Sequence, residues 1–127
     1  MQFKIILSYA SFGILVGLLA SFFSFVDYEL ILWILFSIIA AKAFKQKINK
    51  YLFLHTLIFG SLCGLLTGIT EVIFLDSFLT NNPELKESLT TSPFSAQTLL
   101  LFTGLFYGIA MGVIVFLLSF LFPKMNE

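Results

Sequence analysis

The chain has 127 residues, 59% of them hydrophobic and 11% charged, with 17 phenylalanines and a formal net charge of zero. A soluble domain carries about 25% charged residues, so this composition excludes a soluble globular fold and points to an integral membrane protein of one domain. The balanced charge excludes nucleic-acid binding through a basic field, and the single cysteine, Cys63, excludes an internal disulfide.

A helix needs about 20 apolar residues to cross the hydrocarbon core. Four such runs are expected within residues 1–127, at about 5–26, 28–44, 51–76 and 97–122. Helices are the expected form because lipid cannot satisfy an exposed backbone, and no period-2 barrel pattern appears. The first run follows Lys4 but is too long for a signal core. Ala20 after Leu18 and Leu19 is also a poor cleavage site, so a retained helix is expected.

Orientation follows the lysines, which supply all seven basic residues. Lys4, Lys42, Lys45, Lys47, Lys50 and Lys124 fall on one side and Lys86 on the other, which collects Asp27, Glu29, Asp76, Glu84 and Glu87. Both termini are therefore expected in the cytoplasm of a bacterial cell, with the chain multi-pass in the inner membrane. The lysine cluster sets topology, and contact with anionic lipid is a second role open to it. In the external connection, Asn82-Pro83-Glu84 reads as a helix start. Leu85 and Leu89 make an amphipathic segment at about 83–89, either a partner surface or a solvated linker, and Ser92-Pro93 reads as a start for the last helix.

The phrases FGILVGLL from Phe12, FGSLCGLL from Phe59 and YGIAMGVI from Tyr107 put small residues at four-residue spacing. Gly13, Gly17 and Ser21 make one helical face, Gly60, Gly64 and Gly68 a second, and Gly104, Gly108 and Gly112 a third. In lipid, helices associate by close backbone approach, which glycine permits. Glycine-zipper packing is expected, either inside this chain or against another.

Glu71 sits in the third run, about 20° from Gly60 on a projection of 100° per residue. It therefore lies in the glycine face, roughly 8 Å inside the outer edge near Asp76. At a matching depth stand Ser21, Trp33 and Thr103, with Tyr107 one turn deeper. All four can donate a hydrogen bond, so a polar layer around Glu71 is expected, with Ser21 the foremost partner. Glu71 is then hydrogen-bonded glue between helices, a contact to a partner, or a proton or cation site. His55 reads as an interfacial residue and Cys63 as small packing. No catalytic set, metal-ligand cluster or phosphate loop is present in the pattern, so neither enzyme activity nor a cofactor is expected.

In size and in its membrane carboxylate the chain resembles the small multidrug exporters, although theirs lies in the first helix. It is similar to fluoride channels in length but lacks their arginine-bearing glycine motif. The glycine-containing first run, the link AKAFKQKINKY, the glycine-rich third run and the segment NNPELKE together resemble an uncharacterised bacterial family of small four-helix inner-membrane proteins. That resemblance implies a fold and no activity. The expected architecture is an all-α four-helix membrane bundle. The expected role is a non-catalytic accessory or assembly subunit among membrane lipids and other membrane subunits or its own copies. The alternative is a small oligomeric ion or solute carrier or channel using Glu71.

Overall fold

A computed structural model describes residues 1–24 and 26–125, and the side chains of Val26 and Asp27 lie outside the described set. The assignment of Asp27 to the acidic edge therefore falls outside the described residues. Seven helices follow in order: α1 Phe3–Ala10, α2 Phe12–Phe22, α3 Val26–Lys47, α4 Leu52–Ile73, α5 Leu75–Asn81, α6 Pro83–Thr91 and α7 Ala96–Ser119, with no strand among the described residues. Three stretches, Phe3–Phe22, Leu52–Ile73 and Ala96–Ser119, are long and apolar enough to cross a membrane. That is the signature of a membrane protein.

Local chemistry explains the breaks. At Ser11 the hydroxyl donates to the Ser8 carbonyl at 2.7 Å, and Ile14 N–H closes a tighter turn on the Ser11 carbonyl at 3.0 Å. This divides α1 from α2 while the chain continues as one span. Ser24 turns the chain with φ 51°, a left-handed conformation, and its hydroxyl donates to the Asn81 carbonyl. Lys45 and Lys47 in the last turn of α3 complement the carbonyl end of its dipole. Tyr51, with φ 55°, then starts α4. The third apolar run is not one continuous helix: α4 stops at Ile73, and Phe74 leaves helical geometry before α5 resumes.

Two start signals are used differently from the sequence expectation. Pro83 opens α6, but Asn82 does not cap it. Its Nδ2 instead donates to the carbonyls of Ala20 and Phe78, each at 2.8 Å, tying α5 to the end of α2. Two buried carbonyls outcompete a helix end that water can satisfy. The last helix starts not from Ser92 but from Ser95, whose Oγ accepts Thr98 N–H at 3.2 Å. Ser92 Oγ is engaged by Phe94 N–H at 3.3 Å in a local turn. Leu85 and Leu89 of α6 fold over a small cluster of Ala20, Phe78 and Leu100 at this end.

α4 is the centre of the assembly. α7 packs along it antiparallel and α2 parallel, while α3 packs chiefly on α7. The glycines set the closeness. Added carbons at Gly60 and Gly64 would collide with the carbonyls of Gly108 and Gly104. One at Gly68 would lie 2.9 Å from the Leu100 carbonyl, and one at Gly112 would lie 2.6 Å from that of Thr56. On the other flank, Gly13 rests on the Cys63 carbonyl, and a carbon at Gly17 would lie 2.6 Å from Thr70 Cβ. Thr67 Oγ1 joins this seam by donating to the Gly13 carbonyl at 2.9 Å. Towards the lysine end, Ile6, Ala10, Ala40, Phe44, Phe59 and Val115 are fully buried together. Phe36 stacks on Phe12 there, centroids 3.7 Å apart, and Phe44 meets Phe59 at 5.0 Å.

Candidate functional site

Glu71 lies in the last turn of α4 and is 7% exposed. Nothing among the described residues donates a hydrogen bond to it. Its charged neighbour is a second acid: Glu29, near the start of α3, is close enough to act on it electrostatically. Glu29 Oε1 accepts the Trp33 indole N–H at 3.0 Å, one turn along the same helix. Two carboxyl groups on facing helices, one held by an indole and one unpartnered, form the polar centre at the acidic end.

The residues expected around Glu71 are distributed differently. Trp33 joins the centre through Glu29 rather than by donating to Glu71, because an i,i+4 acceptor is already in reach. Ser21 is fully buried, and its hydroxyl has no hydrogen-bond partner. Its carbonyl, by contrast, accepts Asn81 Nδ2 at 2.9 Å. Ser21 continues the α2 face whose Gly13 and Gly17 rest on Cys63 and Thr70, which puts it at the Glu71 end of α4.

Thr103 and Tyr107 do not join this centre. Gly104 and Gly108 face α4, and the residue before each is rotated by about 100°. Tyr107 is accordingly 62% exposed, and Thr103 is exposed beside it. Unlike Thr56, Thr67 and Thr70, whose hydroxyls bond carbonyls of their own helix, Thr103 has no partner among the described residues, and neither does the Tyr107 hydroxyl. Tyr107 lies midway along the apolar helix Ala96–Ser119.

Glu29 is the residue that sequence reasoning missed. Counting the span from Tyr28 placed it on an extramembrane edge, whereas α3 begins at Val26 and turns it inward. The readable signal was its four-residue spacing from Trp33, the sole tryptophan.

His55 lies in the first turn of α4 and is 3% exposed. Its Nε2 accepts Gln2 N–H at 3.1 Å, so Nδ1 carries the proton and donates to the Tyr51 carbonyl at 2.8 Å. The ring thus fastens the start of α1 to the start of α4. Cys63 is fully buried against Gly13. Among the described residues no group of three or more His, Cys, Asp or Glu is placed to hold a metal ion. Comparison with family models, curated proteins and solved structures gives no match, so the functional reading rests on this chain's own geometry.

Proposed function

We propose that this protein is a small non-catalytic subunit that packs into a larger complex of the bacterial cytoplasmic membrane. In this reading it crosses four times, through Phe3–Phe22, α3, α4 and α7, with both termini in the cytoplasm. The lysine-rich end supports that orientation. There Gln2 is joined to His55, and Gln46 Nε2 to Met125 Sδ at 3.4 Å, so both ends of the chain sit beside the α3–α4 link that carries Lys45, Lys47 and Lys50. The same picture fits the resemblance to small four-helix inner-membrane proteins.

One observation carries the assembly role. The glycine faces described above are turned inward and occupied by this chain, so they are not the docking surface. What remains outward on α7 is Thr103 and Tyr107, two hydroxyls one turn apart with no partner, on a helix otherwise faced by Phe102 and Phe106. Tyrosine is ordinarily found at the membrane interface; midway along an apolar helix its hydroxyl calls for an acceptor on another helix. Native mass spectrometry after purification in mild detergent tests this. A stoichiometric heterologous subunit is expected, and a lone symmetric homo-oligomer that conducts ions would sink the reading.

The Glu29–Glu71 pair favours a second reading, a carrier or channel site. Two like charges in a low dielectric repel strongly, so a proton or cation is their natural complement. Ion flux in proteoliposomes that is abolished by Glu71→Gln and Glu29→Gln would establish it; flux unchanged by both would remove it.

A further inference from the structure

A trough runs along the outside of α1 and the start of α2, facing α3. It consists of two connected hollows, of about 570 Å³ and about 500 Å³, which share Ser8, Tyr9 and Lys47. The outer hollow is bordered by Lys4 and Lys47 together with Met1, Phe3 and Ile5, and the inner one lies against Leu15 and the stacked rings of Phe12 and Phe36. Neither ammonium group has an ion-pair or hydrogen-bond partner among the described residues. The Ser8 hydroxyl is also without one, while its carbonyl accepts Ser11 Oγ.

Both hollows mix polar and apolar lining, and Lys47 borders each of them. Along the helix the lining runs from Lys4, with Phe3 and Ile5 beside it, through the hydroxyls of Ser8 and Ser11 to Phe12 and Leu15, while Lys47 faces both hollows and Phe36 the inner one. From Lys4 to Leu15 this covers about 16 Å of helix. The same sequence, anion then ester then hydrocarbon, describes a phospholipid lying along a helix. Basic recesses between membrane helices on the cytoplasmic side are suited to anionic headgroups.

We propose that this trough binds one anionic diacyl phospholipid. Lys4 and Lys47 hold its phosphate, Ser8 donates to an ester carbonyl, and an acyl chain lies against Phe12, Leu15 and Phe36. A free phosphate would leave the apolar lining of both hollows unused, Phe3 and Ile5 in one and Phe12, Leu15 and Phe36 in the other, so the lipid is the occupant. The proposal rests on the membrane placement of the lysine end and not on the assembly role.

The full-length protein, purified alone, is mixed with phosphatidylglycerol or phosphatidylcholine in detergent, and bound lipid is read by native mass spectrometry. Wild type should retain phosphatidylglycerol selectively. Lys4→Gln and Lys47→Gln should each lower its occupancy about fivefold, the factor for one basic residue near an anionic surface. Lys42→Gln combined with Lys50→Gln, which removes two exposed lysines outside the trough, should not. Glycerophosphoglycerol, the headgroup without chains, should fail to compete. Equal retention of the two lipids by wild type overturns the proposal without any variant. So does an equal loss in the Lys42/Lys50 control, which would mean diffuse charge, or full competition by the chain-free headgroup, which would mean a phosphate site only. Because no partner subunit is present, failure here is distinct from failure to find one.

Discussion

Gly64 of α4 lies directly on the carbonyl of Gly104 of α7, and Gly108 of α7 lies in turn on the carbonyl of Gly60. The two helices are thus in backbone contact along their length, a separation no larger residue tolerates.

Gly64→Val should therefore force α4 and α7 apart. Overpacking of a filled interface costs about 1–3 kcal/mol, and here the obstacle is backbone, which cannot swing aside. Gly68→Ala, whose new carbon would meet the Leu100 carbonyl at 2.9 Å, should cost less. Thermal unfolding in detergent checks the order, and equal stability of Gly64→Val and wild type would contradict this packing.

Asn82 separates a cap from a tether. As a cap, aspartate would serve as well as asparagine. As a donor to Ala20 and Phe78, it would fail completely, because a carboxylate has no N–H. Asn82→Asp should lose as much stability as Asn82→Ala, about 1–3 kcal/mol for the stranded Ala20 carbonyl, since the Phe78 carbonyl keeps the backbone N–H of residue 82. A stable Asn82→Asp would restore the capping role.

Ser95 and Ser92 give a paired comparison at the start of α7. Ser95→Ala removes the acceptor for Thr98 N–H and should cost about 1 kcal/mol. Ser92→Ala, which loses only an exposed local turn bond, should be close to neutral. Chemical denaturation of the two variants decides which serine starts the helix.

Trp33 is the sole tryptophan, so its emission reports the acidic centre without labelling. Glu29→Leu removes the acceptor of its indole N–H and should shift the emission maximum. Glu71→Leu, which leaves that bond in place, should shift it less. A larger response to Glu71→Leu would mean that Trp33 serves Glu71 after all.

Much of the helical class is legible in the chain because apolar run length is a local quantity. The spacing of Gly60, Gly64 and Gly68 is equally visible, but the carbonyls they meet are not, since those depend on register with α7. The polar centre was harder for two separate reasons. Depth alone put Thr103 and Tyr107 beside Glu71. Adding the angle from Gly104 would have turned them outward. Glu29 was missed because a helix that starts at Val26 enters earlier than its hydropathy suggests. Asn82 and Ser92 show the same limit from another side: a capping residue declares what it can bond, and the fold decides what it does bond.

The central claim is that the outward face of α7 seats another subunit. Native mass spectrometry of the protein purified in mild detergent from its own membrane tests it most directly, with Thr103→Val/Tyr107→Phe alongside wild type. These substitutions remove two exposed hydroxyls and little else, so the fold should be unchanged. The account predicts a heterologous subunit at fixed stoichiometry on wild type and its loss from the double variant. A wild-type protein that runs alone, or a partner that stays on the double variant unchanged, would contradict it.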